Sequence, residues 1–221
     1  MIDGHSIAGM STIRERVTDD YYATPSEATQ VLFDSLDLSE CKSFLEPSCG
    51  EGHISKVIIK NISEESHVQS NDLIDRGFGR GGIDFLKCNE NDKFDCIITN
   101  PPFKLAKEFI EKGIRMSNKY VIMFAKIQLL EGIGRKELFE KNPPKYIYVF
   151  RNRINPLRNG NPLDEKGKPW ASTMCFAWFV WEVGFNGEPI IRWLQTNNKK
   201  IVNKRVSAFG SPYTGETTGT D

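Results

Sequence analysis

Phe94-Asp95-Cys96-Ile97-Ile98-Thr99-Asn100-Pro101-Pro102-Phe103 is the stretch whose reading decides the fold. Its first six residues form an apolar, β-branched run, the pattern of a buried strand. Asn100–Phe103 then follows at the strand's C-terminal end, where open α/β sheets place their ligands. Two successive prolines remove two backbone N–H donors and hold φ at roughly −65°. The residue before each proline is driven towards extended geometry. What remains is a stiff turn rich in acceptors, namely the Asn100 side-chain oxygen and the Asn100 and Pro101 carbonyls, with the aromatic face of Phe103 beside them. Such a turn suits a planar substrate carrying an NH₂ group. Taken alone, the four residues also read as a plain strand-ending turn, because Asn-Pro is a frequent loop dipeptide.

Working outward, the neighbouring elements alternate between strand and helix patterns. Upstream, Thr24-Pro25-Ser26-Glu27 predicts a helix start: an N-cap, a proline at the first helical position and a glutamate at the capping-box position. Ala28, Val31, Leu32 and Leu36 share one face of that helix. A short strand is expected at Ser43–Glu46, then a loop, then a helix carrying Ile54, Val57 and Ile58. A second strand is expected at His67–Asn71, ending at Asp72, before a glycine-rich loop from Arg76 to Gly82 and the segment Asp84-Phe85-Leu86. Downstream, a helix is predicted over Leu105–Met116, a strand over Tyr120–Phe124, a helix near Arg135–Glu140 and a strand over Tyr146–Phe150. Met174–Val183 and Ile190–Leu194 read as a closing strand pair joined through Gly184–Gly187. The fold class expected is therefore α/β: a doubly wound, mostly parallel sheet with an antiparallel hairpin at one edge.

Length and composition bound the answer. At 221 residues, with 39% hydrophobic and 26% charged side chains, the chain is expected to form one globular domain. We read residues 1–20 as a flexible arm, 21–195 as the domain and 196–221 as a disordered tail. The formal net charge of zero excludes a generally basic nucleic-acid binder, while leaving local patches open. No apolar run approaches the roughly 20 residues of a membrane span, so no membrane partner is expected. Five scattered cysteines without a C-x-x-C pair read as reduced thiols of a cytoplasmic protein. The three histidines lie away from any cysteine pair, so no metal is expected.

The loop Pro47-Ser48-Cys49-Gly50-Glu51-Gly52, between a strand and a helix, points to a nucleotide-type ligand. Its glycines allow close backbone approach, and the helix start offers unpaired N–H groups. Ser55 stands where a dinucleotide fingerprint needs its third small residue, and Glu46 at the strand end repels a pyrophosphate. Glu46 favours a cationic ligand group instead. Asp72, about 20 residues beyond the loop, stands where an acid accepts from both ribose hydroxyls. Asp84, after a third strand, can accept from an adenine amino group while Phe85 lies against the ring. A ligand with an amino group, a ribose and an adenine but no phosphates is S-adenosylmethionine.

With these residues in place, the chain resembles the S-adenosylmethionine-dependent adenine-N6 DNA methyltransferases, particularly the small phage-type members, over roughly residues 21–195. Leu45-Glu46-Pro47-Ser48-Cys49-Gly50-Glu51-Gly52 is similar to the family's cofactor loop, and Asn100-Pro101-Pro102-Phe103 to its catalytic motif. Tyr22-Ala23-Thr24-Pro25-Ser26-Glu27 resembles the Thr-Pro element that closes over the cofactor in one ordering class. The resemblance implies a seven-stranded Rossmann-like sheet. It implies cofactor contacts at Thr24, Pro25, Glu46, Pro47, Ser48, Gly50, Gly52, Asp72, Asp84 and Phe85, with catalysis at Asn100, Pro101, Pro102 and Phe103. DNA is the expected partner. Larger members carry a separate target-recognition domain; here nothing after Leu194 reads as one. The loop 151–170, with Arg151, Arg153, Arg158, Lys166, Lys168 and Trp170, is the candidate substrate-contacting segment. An RNA adenine, cytosine N4 or a protein glutamine amide presents the same conjugated NH₂, and a non-catalytic binding module is the reading from a different class.

Overall fold

The computed structural model describes residues 21–170 and 173–196. The expected arm (1–20) and residues 197–221 of the expected tail lie outside the described residues. Thr196, the first residue of that tail, is buried, and its N–H donates to Asn152 Oδ1 at 3.0 Å.

In chain order the elements are β1 (Tyr22–Ala23), α1 (Ser26–Phe33), β2 (Ser43–Glu46), α2 (His53–Asn61), β3 (His67–Ser70), β4 (Phe94–Thr99), α3 (Ala106–Met116), β5 (Ser117–Lys126), α4 (Lys136–Lys141), β6 (Tyr146–Phe150), β7 (Leu157–Arg158), β8 (Phe176–Glu182) and β9 (Ile190–Leu194). Seven strands form one sheet in the order β3-β2-β4-β5-β8-β6-β9, and β1 pairs with β7 in a separate two-stranded ribbon. All neighbours in the main sheet are parallel except β8, which runs antiparallel to both β5 and β6. Among the described residues, no helix is long and apolar enough to cross a membrane.

Both faces of the sheet are covered, which is why its central strands read as continuous apolar runs. Side chains alternate between two cores. Phe44, Cys96, Ile98, Ile122, Phe124, Trp178 and Val180 face α1 and α2, meeting Ala28, Leu32, Ile54 and Ile58. Leu45, Ile97, Val121, Met123, Ala177, Phe179 and Trp181 face α3 and α4, meeting Phe109, Ile110 and Leu138. The buried Trp178 indole donates to the Ala28 carbonyl at 2.9 Å, so its polar edge is satisfied inside the core.

Two expectations about the sheet need correction. The closing strands do not pair with each other: β8 is inserted between β5 and β6, and β9 pairs in parallel with the outer side of β6. Phe176–Trp181 is buried on both faces, which an edge strand cannot be, so the sheet interior takes it. Nor does a strand precede Asp84. Between β3 and β4 there is a single parallel bridge, Asn71 to Arg80, and a 3-10 turn at Phe85–Lys87. The polar, glycine-rich sequence there has no apolar face to bury in a sheet, and β9 makes up the seventh strand.

This topology positions the cleft. The chain leaves β2 for β3 on one side and returns to β4 on the other, so the loops after β2 and β4 diverge from adjacent strand ends. Such a switch point opens a crevice at the carboxyl edge of the sheet.

Candidate functional site

A cleft of about 320 Å³ lies at that switch point. Its lining includes Thr24, Glu46, Pro47, Ser48, Asp72, Asp84, Phe85, Asn100, Pro101, Pro102 and Phe103. Segments spread from Tyr21 to Phe109 in the chain thus meet at one place. Three residues of the expected set, Pro25, Gly50 and Gly52, are not on the wall.

Their place is structural. Gly50 has φ +54°, and a Cβ there would collide with the Tyr21 ring; Gly52 has φ +80°, and a Cβ would lie 2.5 Å from the Phe78 ring. Both conditions demand glycine. The Gly50 N–H donates to Asp72 Oδ2 at 2.7 Å, and the Glu51 N–H donates to the Tyr21 hydroxyl at 3.1 Å. The loop is therefore pinned between the end of β3 and the residue just before β1. Pro25 caps the backbone of α1: the Ala28 N–H donates to its carbonyl at 2.9 Å.

The wall beyond β2 and β3 is acidic. Glu46 is buried, and Ser55 Oγ donates to its Oε2; Ser55 Oγ in turn lies 2.6 Å from Ser70 Oγ. Burial pushes the Glu46 carboxyl well above the ordinary carboxylate range, and the nearby Asp72 adds to the rise. Asp72 accepts from Gly50 N, from Ile74 N at 2.9 Å, and from Arg76 Nη1 at 3.4 Å. Asp84 accepts from Leu86 N at 3.0 Å and pairs with Lys87 at 3.0 Å, and that hydrogen bond with Lys87 holds its carboxyl below the usual range. Phe85 is buried against Phe109, ring centroids 5.0 Å apart. Lys112, also buried, braces this turn by donating to the Leu86 and Cys88 carbonyls at 2.9 and 2.6 Å.

The wall after β4 carries no acid. Asn100 Nδ2 donates to the Tyr22 carbonyl at 2.6 Å and to Thr24 Oγ1 at 3.1 Å. A carbonyl only accepts, so the amide nitrogen must face it and the side-chain oxygen is left as the free acceptor. The Pro102 carbonyl is taken by the Leu105 N–H at 2.9 Å. Phe103 is half-buried, with Tyr22 and Phe176 rings at 5.6 and 6.2 Å and the Lys126 ammonium 4.1 Å from its centroid.

Thr24 corrects another expectation. It does not cap α1, which has no side-chain cap; its hydroxyl is on Asn100 instead. The sequence also did not point to Tyr21, Arg76 or His53. Arg76 lies over the Tyr21 ring at 4.4 Å, and burial raises the Tyr21 hydroxyl to about 12. His53 lines the cleft with a buried Nδ1 that has no hydrogen-bond partner, and burial lowers its pKa. The available signals were the tyrosine pair just before the Thr-Pro element, the i+4 spacing from Asp72 to Arg76, and a histidine opening α2. Cys49 lines the cleft too, its thiol raised by burial to about 12 and thus uncharged at neutral pH.

The segment 151–170 lies beside this wall. Within it, β7 pairs with β1 in the register Tyr22 to Arg158 and Ala23 to Leu157, and the Arg158 guanidinium stacks on Trp170 at 4.4 Å.

No protein-family model matches the chain. Over 98 residues it is 32% identical to the type II methyltransferase M.CvrRI of Paramecium bursaria Chlorella virus XZ-6E, covering 41% of this chain and 26% of the relative. The chain thus matches about a quarter of that relative's length. Among solved structures it is similar to a protein of Pyrococcus horikoshii assigned as an RNA methyltransferase (TM-score 0.55, 15% identity, 78% of this chain and 91% of that one). It is also similar to a modification subunit assigned to a type I restriction enzyme of Vibrio vulnificus YJ016 (0.54, 15%, 79% and 47%). A third is the methyltransferase subunit of a type I restriction-modification system from Streptococcus thermophilus (0.53, 10%, 77% and 47%). At these identities the likeness is one of fold, and the fold is the Rossmann-like methyltransferase sheet.

Proposed function

We propose that this chain is an S-adenosylmethionine-dependent methyltransferase acting on the exocyclic N6 amine of adenine in DNA. The observation that carries this reading is the Asn100 amide. Both of its hydrogens are committed, and its oxygen remains as an acceptor in a cleft whose opposite wall holds a buried acid.

The residues of the acidic wall fit the cofactor. Glu46 is buried with a serine for company and no cation, so a ligand ammonium supplies the counter-charge its site lacks. Asp72 Oδ1 accepts from Ile74 N and Arg76 Nη1, while Oδ2 accepts from Gly50 N and keeps lone-pair capacity for a ribose hydroxyl. Phe85 offers an apolar surface at the adenine end, with Asp84 beside it. Three carboxylates against one Arg76 in this lining also disfavour a polyphosphate ligand. When bound, S-adenosylmethionine supplies an electrophilic methyl on a sulfonium, so the C–S electrons stay on sulfur as the N–C bond forms and the surplus amine proton leaves to solvent.

The chain's own task is to present the amine. Its lone pair is delocalised into the ring, which makes it a poor nucleophile. The Asn100 oxygen and the Pro101 carbonyl accept its two N–H bonds, aim the nitrogen, and stabilise the positive charge that grows there. No side chain need form a covalent bond. A duplex substrate must release the base at a cost of a few kcal/mol, and stacking on Phe103 offsets part of that cost. The ammonium of Lys126 on the ring is held by only about 0.5–2 kcal/mol, so it can yield.

DNA as the acceptor is supported by the partial identity to a type II methyltransferase and by the loop 151–170. Arg151, Arg153, Lys166 and Lys168 are exposed on that loop, suited to phosphates, and it is tied to β1 next to Asn100. The test is to incubate the purified protein with radiolabelled S-adenosylmethionine and, separately, unmethylated duplex DNA, RNA and a cell protein extract. Label recovered as N6-methyl-2′-deoxyadenosine from DNA is the expected result. Label confined to RNA, to N4-methylcytosine or to glutamine moves the acceptor, and no label in any fraction ends the transferase reading.

A further inference from the structure

We propose that Thr24 is a positioning residue: its buried hydroxyl fixes the plane of the Asn100 amide. The inference rests on the methyl-transfer reading for its consequence, though not for its geometry. A primary amide has two ends of nearly equal size, so packing alone hardly orients it, and its terminal torsion is broad. Hydrogen-bond partners must decide.

The Tyr22 carbonyl decides which end is which. Flipping Asn100 would set two oxygens against each other at the 2.6 Å now spanned by a hydrogen bond, and would offer an NH₂ to an incoming NH₂. One bond still leaves the amide free to swing about its torsion. The second N–H, donated to Thr24 Oγ1 at 3.1 Å, removes that freedom. With both N–H directions fixed, the direction of the oxygen is fixed as well.

Thr24 is built for this task and not for the one its sequence position suggests. It stands just before a helix, where a threonine normally caps the first turn. Instead α1 has no side-chain cap, and the Thr24 hydroxyl bonds 76 positions away. The residue is 1% exposed, and its backbone is held between α1 and the β1–β7 ribbon. A rigid support of this kind is what near-attack geometry requires, since small misplacements of an orienting group are costly in rate.

The test compares Thr24→Val, which keeps shape and removes the hydroxyl, with Thr24→Ser, which keeps the hydroxyl. In the full chain we expect Thr24→Val to lower kcat about tenfold or more, the effect of losing one orienting hydrogen bond. The S-adenosylmethionine Kd should stay within about twofold, and Thr24→Ser should restore kcat to within about threefold. A second readout needs no turnover. With ¹⁵N-asparagine labelling, the NH₂ pair absent from the Asn100→Ala spectrum is assigned, and its hydrogen exchange is followed. Slow exchange in wild type and Thr24→Ser, and acceleration in Thr24→Val, is expected. Fast exchange in the wild type overturns the proposal, even if Thr24→Val does not fold. Unchanged kcat in Thr24→Val, or a loss confined to cofactor affinity, overturns it too and returns Thr24 to the cofactor site. A slowly exchanging Asn100 amide in a protein that transfers no methyl group sinks the transferase reading alone.

Discussion

The two walls of the cleft solve opposite problems. The wall after β2 and β3 gathers Glu46, Asp72 and Asp84, and keeps at least one of them, Glu46, in a setting hostile to its charge. The wall after β4 has no acid at all and works through an uncharged amide held by a carbonyl and a hydroxyl. Charge suits the binding of a cationic, polyhydroxylated ligand; it would be the wrong instrument for a neutral amine, which needs direction more than attraction. On the proposed function, the difference teaches that affinity and reaction geometry fall to different strand ends. Substitutions on one wall should therefore change mainly binding, and on the other mainly turnover.

The most severe test of that division is Asn100→Ala. Removing the acceptor should lower kcat by at least about 10²–10³-fold, the range for loss of a preorganised electrostatic contact, with cofactor Kd moved only a few-fold. Near-normal turnover would remove Asn100 from the chemistry. On the other wall, Asp72→Ala should weaken cofactor binding by about one to two powers of ten, in line with loss of charged hydrogen bonds. At saturating cofactor kcat should recover to within a few-fold. Because Asp72 also receives Gly50 N and Ile74 N, the melting temperature should fall as well; calorimetry that finds the same affinity would refute its ligand role.

Glu46 sharpens the comparison through pH. Its folded-state pKa lies above the ordinary 4.5 because burial penalises the charge. Below that pH the carboxyl is protonated in the folded and unfolded chain alike. As pH rises, the unfolded chain ionises first, so Glu46 removes stability between 4.5 and its raised folded value. Glu46→Gln should therefore raise the neutral-pH melting temperature of the ligand-free protein by about 2–4 °C per kcal/mol relieved, while weakening cofactor binding. In the wild type, binding a cation favours the carboxylate, so affinity should decline on acidification; an identical pH profile in Glu46→Gln would exclude Glu46 as the cause. The smallest effect is expected outside both walls. Arg158→Ala should leave cofactor affinity alone, weaken DNA binding a few-fold, and reduce the salt slope by about one if the side chain meets a phosphate. A salt titration showing the wild-type slope would retire that contact.

Much of this was legible in the chain. Strands Ser43–Glu46, Tyr146–Phe150 and Ile190–Leu194 were read with their observed limits, because apolar runs bounded by turn residues carry their own signal. Eleven of the fourteen expected site residues line one cleft, since motifs at strand ends converge wherever the strands lie side by side. What failed to show in the sequence involves partners far apart. The hydroxyl of Thr24 looked like a helix cap because capping is a local pattern, and its actual partner is 76 positions away. Gly50 and Gly52 report only that a side chain does not fit there, and the sequence does not show that the rings of Tyr21 and Phe78 fill that space.

The sequence by itself determined the layered α/β class, the acids at successive strand ends and the donor-poor Asn-Pro-Pro-Phe turn, because periodicity and backbone stereochemistry act over a few residues. Only the tertiary structure decided that β8 lies inside the sheet, that β1 crosses to the Asn-Pro-Pro-Phe turn, and which edge of the Asn100 amide is free. Those outcomes depend on which distant surfaces bury one another and which distant acceptors face a given donor, and no local rule encodes either.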